Sequence, residues 1–228
     1  MLDKRIVFPD PREAEPNGLL AVGGDLSSER LLLAYRSGIF PWFSEGDPIL
    51  WFSPDPRLVI FLDDLYVSTK LKKIIRSGQF EIRIDADFEQ VIARCSKSER
   101  RGQDGTWITD DMINAYLELH TKGYAHSVET YHDGELVGGL YGVSLGGAFF
   151  GESMFFDMSN ASKVALYFLV EALKSWNFQF IDSQVPNSHM KAMGGKELKR
   201  EDFLKMLDKA MMSESRVGSW NHEQSIEK

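Results

Sequence analysis

Ala125-His126-Ser127-Val128-Glu129-Thr130-Tyr131-His132-Asp133-Gly134-Glu135-Leu136-Val137 reads as strand, two-residue turn, strand. Asp-Gly favours the tight turn whose twist suits a β-hairpin. The spacing predicts a strand over Ala125–Tyr131 and its partner over Glu135–Val143. Gly146-Gly147 marks a second turn, and Ala148–Phe155 a third strand. Asn160 is expected to cap a helix over Ala161–Trp176. Its middle, Val164 to Val170, is apolar almost all round, as in a helix buried on several sides. Phe178–Val185 is predicted as a further strand, interrupted by Asp182 and Gln184, and a last helix runs from about Glu201 to Met212. The C-terminal half is thus an antiparallel meander, a buried helix, another strand and a final helix. From Ser213 the tail is polar and expected to be loose.

The N-terminal half is less regular. Phe8-Pro9-Asp10-Pro11, Pro16-Asn17-Gly18 and Gly23-Gly24-Asp25 read as turns. Ser27 or Ser28 can cap a short helix through Tyr35, stopped near Gly38. Two aromatic runs broken by proline follow, Ile39 to Phe43 and Ile49 to Pro56, then a strand over Leu58–Leu62. Ser68 and Gly78 bracket a helix over Thr69–Ser77. Phe80–Ile84 alternates as a strand, Phe88–Cys95 looks helical, and residues 100–105 form a polar loop. Thr109 can cap a helix over Asp110–Lys122 that Gly123 stops.

The 228 residues carry a net charge of −8, with 43% hydrophobic and 26% charged residues, an ordinary globular composition. No apolar run is long enough to cross a bilayer. The N-terminus offers no signal-like segment, and Cys95, the single cysteine, permits no internal disulfide. A cytoplasmic protein is expected. Acidity argues mildly against a dedicated nucleic-acid binder. Yet Ser68 to Arg101 holds nine basic against five acidic residues, so one face can still hold a polyanion.

Four groups of residues could carry chemistry. Alternation puts Asp182 and Gln184 on the same face of their strand, where burying them unpaired is costly. They are either a strand end bonded to a neighbouring loop or a polar pair in a cleft. Glu152 sits among Phe149, Phe150, Met154 and Phe155. It is either a water-facing edge residue or a carboxylate binding a substrate ammonium in a pocket lined by Phe149, Met154, Leu166 and Leu169. Trp42, Trp51 and Trp107 could stack bases or anchor the core. Lys70, Lys72, Lys73 and Arg76 could be a solvated face or a phosphate-binding one. No nucleotide-binding glycine loop, nucleophile elbow or metal spacing among the five histidines is present.

Seven ordered stretches together resemble the leucyl/phenylalanyl-tRNA–protein transferase family. They are Glu15 to Leu26, Gly38 to Phe43, Trp51 to Arg57, Gly105-Thr106-Trp107-Ile108-Thr109, Gly151-Glu152-Ser153-Met154-Phe155, Asn160-Ala161-Ser162-Lys163 and Ile181-Asp182-Ser183-Gln184. The resemblance spans about residues 8 to 210. It implies an α+β fold, with a C-terminal acyltransferase domain (64–228) like the acetyl-CoA N-acetyltransferases, or GNAT-like, and a smaller mixed N-terminal domain (1–63). It implies transfer of Leu or Phe, less readily Met, from aminoacyl-tRNA to acceptor proteins that begin with Arg or Lys. The product enters a bacterial N-degron route to degradation. Asp182 and Gln184 match the catalytic pair, and Glu152 a carboxylate at the aminoacyl pocket. Trp42, Trp107, Tyr116 and Tyr35 match aromatics near the terminal adenosine. The basic helix matches the tRNA-binding helix. Leu169 stands where the family pattern has an aromatic, a departure that bears on Leu-versus-Phe preference.

The ester already carries the activation, so no cofactor, ATP or metal is implied, and the protein is expected to be monomeric and off the membrane. Two other readings share features with this one. An acetyl-CoA N-acetyltransferase would need a glycine-rich pyrophosphate loop, which Phe156 to Ser162 lacks. A non-catalytic tRNA-binding protein would not need a polar pair in a core strand.

Overall fold

The computed structural model describes residues 1–98 and 107–221. The polar loop expected at 100–105, including Arg100 and Arg101, lies outside the described residues, as do Gly105, Thr106 and His222. The meander forms as the turn residues dictate. Strands β6 (Ala125–His132), β7 (Glu135–Leu145) and β8 (Ala148–Phe156) pair antiparallel in sequence. Asp133 and Gly134 both take positive φ, the requirement of the tight hairpin turn. Strand β5 (Glu81–Ile84) adds to the outer edge of β6.

After β8 the chain crosses through helix α5 (Ala161–Ser175) and returns as β9 (Phe180–Asp182), parallel to β8. Strand β4 (Arg57–Phe61) pairs antiparallel with β9, and β10 (Lys196–Leu198) closes that edge on β4. Among the described residues the sheet therefore has seven strands, ordered β10-β4-β9-β8-β7-β6-β5. Strand β4 precedes residue 63, so the large sheet takes one strand from the segment assigned to the smaller N-terminal domain. A separate small sheet joins β1 (Leu19–Val22), β3 (Leu50–Phe52) and β2 (Phe40–Pro41).

Alternation along the strands sorts apolar side chains onto two faces. Phe149, Ile181, Leu58 and Ile60 pack with α5 and with Leu71 of α2 (Thr69–Ser77). Phe150, Phe180 and Val59 join the opposite core. That core is built with α1 (Ser28–Arg36), α3 (Phe88–Lys97), α4 (Asp110–Thr121) and α7 (Arg200–Ala210). Capping follows the expectation for α2, where the Ser68 hydroxyl accepts from the Leu71 amide and Gly78 is left-handed. It also does for α4, where Thr109 accepts from Met112. Among the described residues no helix is long and apolar enough to cross a membrane.

Three expectations are corrected. Asn160 stands at the N-cap position of α5 as expected, but it is left-handed (φ 73°) and its side chain makes no capping bond. The strand expected over Phe178–Val185 stops at Asp182, because Gln184 turns into the left-handed region at φ 60°. The tail is not loose as far as Trp220. This indole is buried, lies flat on the His126 ring at 3.6 Å, and meets Trp176 edge-on. Its backbone N–H donates to the buried Asp85 carboxylate at 2.8 Å. Gly218 N–H reaches the Gly123 carbonyl, and Gly146 N–H donates to the Ser215 hydroxyl. One large aromatic supplies the apolar area that the surrounding polar residues lack.

Trp220→Ala is expected to destabilise the protein by about 3–5 kcal/mol, the usual range for emptying a buried tryptophan site. Urea unfolding measures it, and an unchanged midpoint would show that the buried indole contributes nothing.

Candidate active site

Strands β8 and β9 run side by side only over Ala148–Phe150 and Phe180–Asp182. Beyond Phe150 strand β8 continues to Phe156, while the chain after Asp182 turns away. The gap between them opens into a cavity of about 720 Å³. Its walls include Phe149, Met154, Leu166 and Leu169, the four apolar residues expected to line an aminoacyl pocket. Trp42 and Trp107 also border it, as do Phe156 from the end of β8 and His189 from the short helix α6 (Ser188–Ala192).

Glu152 enters the cavity through a break in the β7–β8 ladder. Tyr141 faces Ser153 and Gly142 faces Gly151, leaving Glu152 without a partner strand residue. Such a bulge re-aims a side chain. Gly142 is required beside it, since a Cβ there would lie 2.2 Å from the Phe150 carbonyl oxygen. The Glu152 carboxyl is buried and bonded on both oxygens. Oε1 accepts from the Tyr35 hydroxyl and from Gln184 Nε2, each at 2.7 Å. Oε2 accepts from the Tyr116 hydroxyl at 3.0 Å, and the two tyrosine hydroxyls also bond to each other.

Burial pushes the Glu152 carboxyl up to about 7 against the pull of its three donors. Burial and the adjacent carboxyl likewise hold both phenols well above their usual range.

Asp182 lies behind this site. Its carboxylate has no exposure and meets the fork of Arg57: Nε to Oδ1 at 2.9 Å and Nη2 to Oδ2 at 2.6 Å. Oδ1 also accepts from the Gln184 backbone N–H at 2.9 Å. Gln184 and Ser183 line the cavity; Asp182 does not. The residues expected as a pair on one strand face are thus joined by a turn, with one buried and one presented.

Tyr35 and Tyr116, expected near an adenosine, have wholly buried rings, and their hydroxyls are held on Glu152. Trp51 is a core anchor whose indole N–H donates to the Gly23 carbonyl. Lys70, Lys72, Lys73 and Arg76 stand on the exposed side of α2, opposite Leu71, and among the described residues none of the four forms an ion pair. Sequence reasoning missed Arg57. Its signal was an arginine opening an otherwise apolar strand, which needs an acid wherever that strand is buried. Among the described residues no three His, Cys, Asp or Glu side chains gather as a metal site.

Two family models match the chain: "Leucyl/phenylalanyl-tRNA protein transferase" over residues 59–208, and the N-terminal domain of the same family over residues 24–55. The chain belongs to the leucyl/phenylalanyl-tRNA–protein transferase family. Members of this family are aminoacyltransferases. Its relatives include a leucyl/phenylalanyl-tRNA–protein transferase of Nitratidesulfovibrio vulgaris, 53% identical over 98% of this chain and 96% of the relative. Another, from Myxococcus xanthus, is 53% identical over 94% of this chain and 92% of the relative. Among solved structures, a GCN5-related N-acetyltransferase from Kribbella flavida superposes with a TM-score of 0.41 at 8% identity, covering 73% of this chain and 59% of that one. The α+β arrangement expected of the family is present in the meander, the buried crossover helix and the splayed parallel pair.

The Glu152 proton has a measurable consequence. Its carboxyl ordinarily titrates near 4.5 and is raised to about 7 in the folded state. The folded protein keeps a proton that the unfolded chain has lost, so this contribution is complete below about 4.5 and disappears as pH rises to about 7. Glu152→Gln is expected to flatten that part of the pH dependence of the melting temperature. Parallel curves for the two proteins would contradict it.

Proposed function

We propose that this enzyme moves Leu or Phe, and less readily Met, from aminoacyl-tRNA to the N-terminal Arg or Lys of an acceptor protein, marking that protein for degradation. The reaction is assigned to the cytoplasm and to a monomer. The observation that carries the reading is the polarity of the cavity: apolar along Phe149, Met154, Leu166 and Leu169, and polar where Glu152 and Gln184 meet. An apolar aminoacyl side chain fits the first part. The ester and the incoming amine fit the second. Trp42 and Trp107 suit stacking on the terminal adenosine, and the exposed cations of α2 suit tRNA phosphates.

The chemistry is aminolysis. The acceptor α-amine attacks the ester carbonyl, a C–N bond forms, and the bond to the ribose oxygen breaks. The amine gives up a proton and the ribose oxygen gains one. Gln184 donates its Nε2 to Glu152, which leaves its carbonyl oxygen free to accept an N–H of the attacking amine and orient the lone pair. Holding two substrates in attacking geometry is itself a large source of rate.

Radiolabelled Leu-tRNA and Phe-tRNA incubated with peptides beginning with Arg, Lys or Ala test the reading. Label is expected on the Arg and Lys peptides alone; label on none, or on all three, contradicts it. The pocket wall gives a second test. Leu169→Phe adds bulk at the aminoacyl side chain and is expected to lower Phe transfer relative to Leu transfer by about tenfold or more. An unchanged ratio would contradict the seating of the aminoacyl side chain against Leu169.

A further inference from the structure

Arg57 is absent from the residues that the family resemblance singles out for catalysis, yet its geometry ties it to the site. Its guanidinium is buried between the rings of Phe40 and Phe203, 4.8 and 4.6 Å from their centroids. Nη1 donates to the Gly38 carbonyl, and Nε and Nη2 grip both oxygens of Asp182. The Asp182 carboxylate is thereby occupied by three donors, two from Arg57 and one from the Gln184 backbone. It has no exposure and no surface on the cavity. A carboxylate so placed cannot reach an amine bound there.

What Asp182 does reach is the turn. Gln184 holds a left-handed φ of 60°, a conformation unfavourable for a residue with a Cβ unless its surroundings enforce it. The N–H held by Asp182 belongs to that residue. The same turn carries the Gln184 amide to Glu152, 2.7 Å away.

We propose that Arg57 is a positioning residue for aminoacyl transfer: it fixes Asp182, and Asp182 fixes the left-handed turn that aims the Gln184 amide. This rests on the proposed transfer reaction. It makes Asp182 part of a clamp and leaves the contact with the amine to Gln184. The clamp joins two neighbouring strands, since Arg57 opens β4 and Asp182 closes β9.

The test uses Arg57→Lys, Asp182→Asn and the double variant in the full chain. Lysine keeps the charge but not the two-pronged geometry. Each single change is expected to lower kcat by about 10²-fold, as misplacement of an orienting group does, with KM for aminoacyl-tRNA unchanged. The double variant is expected to fall no further than the worse single one, because both remove one unit. The Gln184 side-chain amide resonances, assigned by their loss in Gln184→Ala, are expected to move in all three. The clamp is overturned if Asp182→Asn abolishes transfer while Arg57→Lys retains wild-type kcat, or if the Gln184 resonances stay in place. If Arg57→Lys does not fold, the Gln184 resonances in Asp182→Asn decide alone. A wild-type protein that labels no Arg-starting peptide defeats the functional reading instead, and the resonances still decide the clamp.

Discussion

A guanidinium and a carboxylate face each other out of reach of water, where β4 and β9 lie side by side. Losing one partner of such a buried pair generally costs about 3–5 kcal/mol, because the survivor is an uncompensated charge. The surroundings of Arg57 and Asp182 suit the pair: two aromatic faces, the Gly38 carbonyl and the Gln184 amide account for the remaining charge and donors. From this pair follow the early end of β9, the left-handed turn at Gln184, and hence the direction of the amide that meets Glu152. The cavity exists because β9 stops there while β8 continues.

A second device works from the other side of the same opening. The unpaired position in β8 swings Glu152 inward, Gly142 leaves room for the bend, and Tyr35 and Tyr116 hold the carboxyl from beneath. Two unrelated irregularities, a bulge and a left-handed turn, bring their side chains within one hydrogen bond of each other. Neither is favourable in an isolated strand. Both persist because the packed sheet around them leaves no alternative, a common circumstance at reaction centres.

Much of the architecture could be read from the chain because its signals are local. Asp133-Gly134 and Gly146-Gly147 supply residues suited to positive φ, and Ser68 with Gly78 brackets a helix in eleven residues. Leu166 and Leu169 were legible from the apolar face of α5, whereas Phe149 and Met154, five apart, reach one wall only through the bulge at Glu152. What escaped depends on partners far away in sequence. Alternation assumes an unbroken strand, so it put Asp182 and Gln184 on one face and could not foresee the turn. The tyrosines at 35 and 116 look like any aromatic until the Glu152 carboxyl is placed between them. Trp220 is one large side chain in a polar tail, and its partners Asp85, His126 and Trp176 come from three separate parts of the chain.

Strand β4 also governs when a site can exist. Arg57 and Asp182 are 125 positions apart, so closing the clamp carries the loop entropy of more than half the chain. Until β4 lies beside β9, neither the clamp nor the amide it directs is in place, whatever the state of the meander.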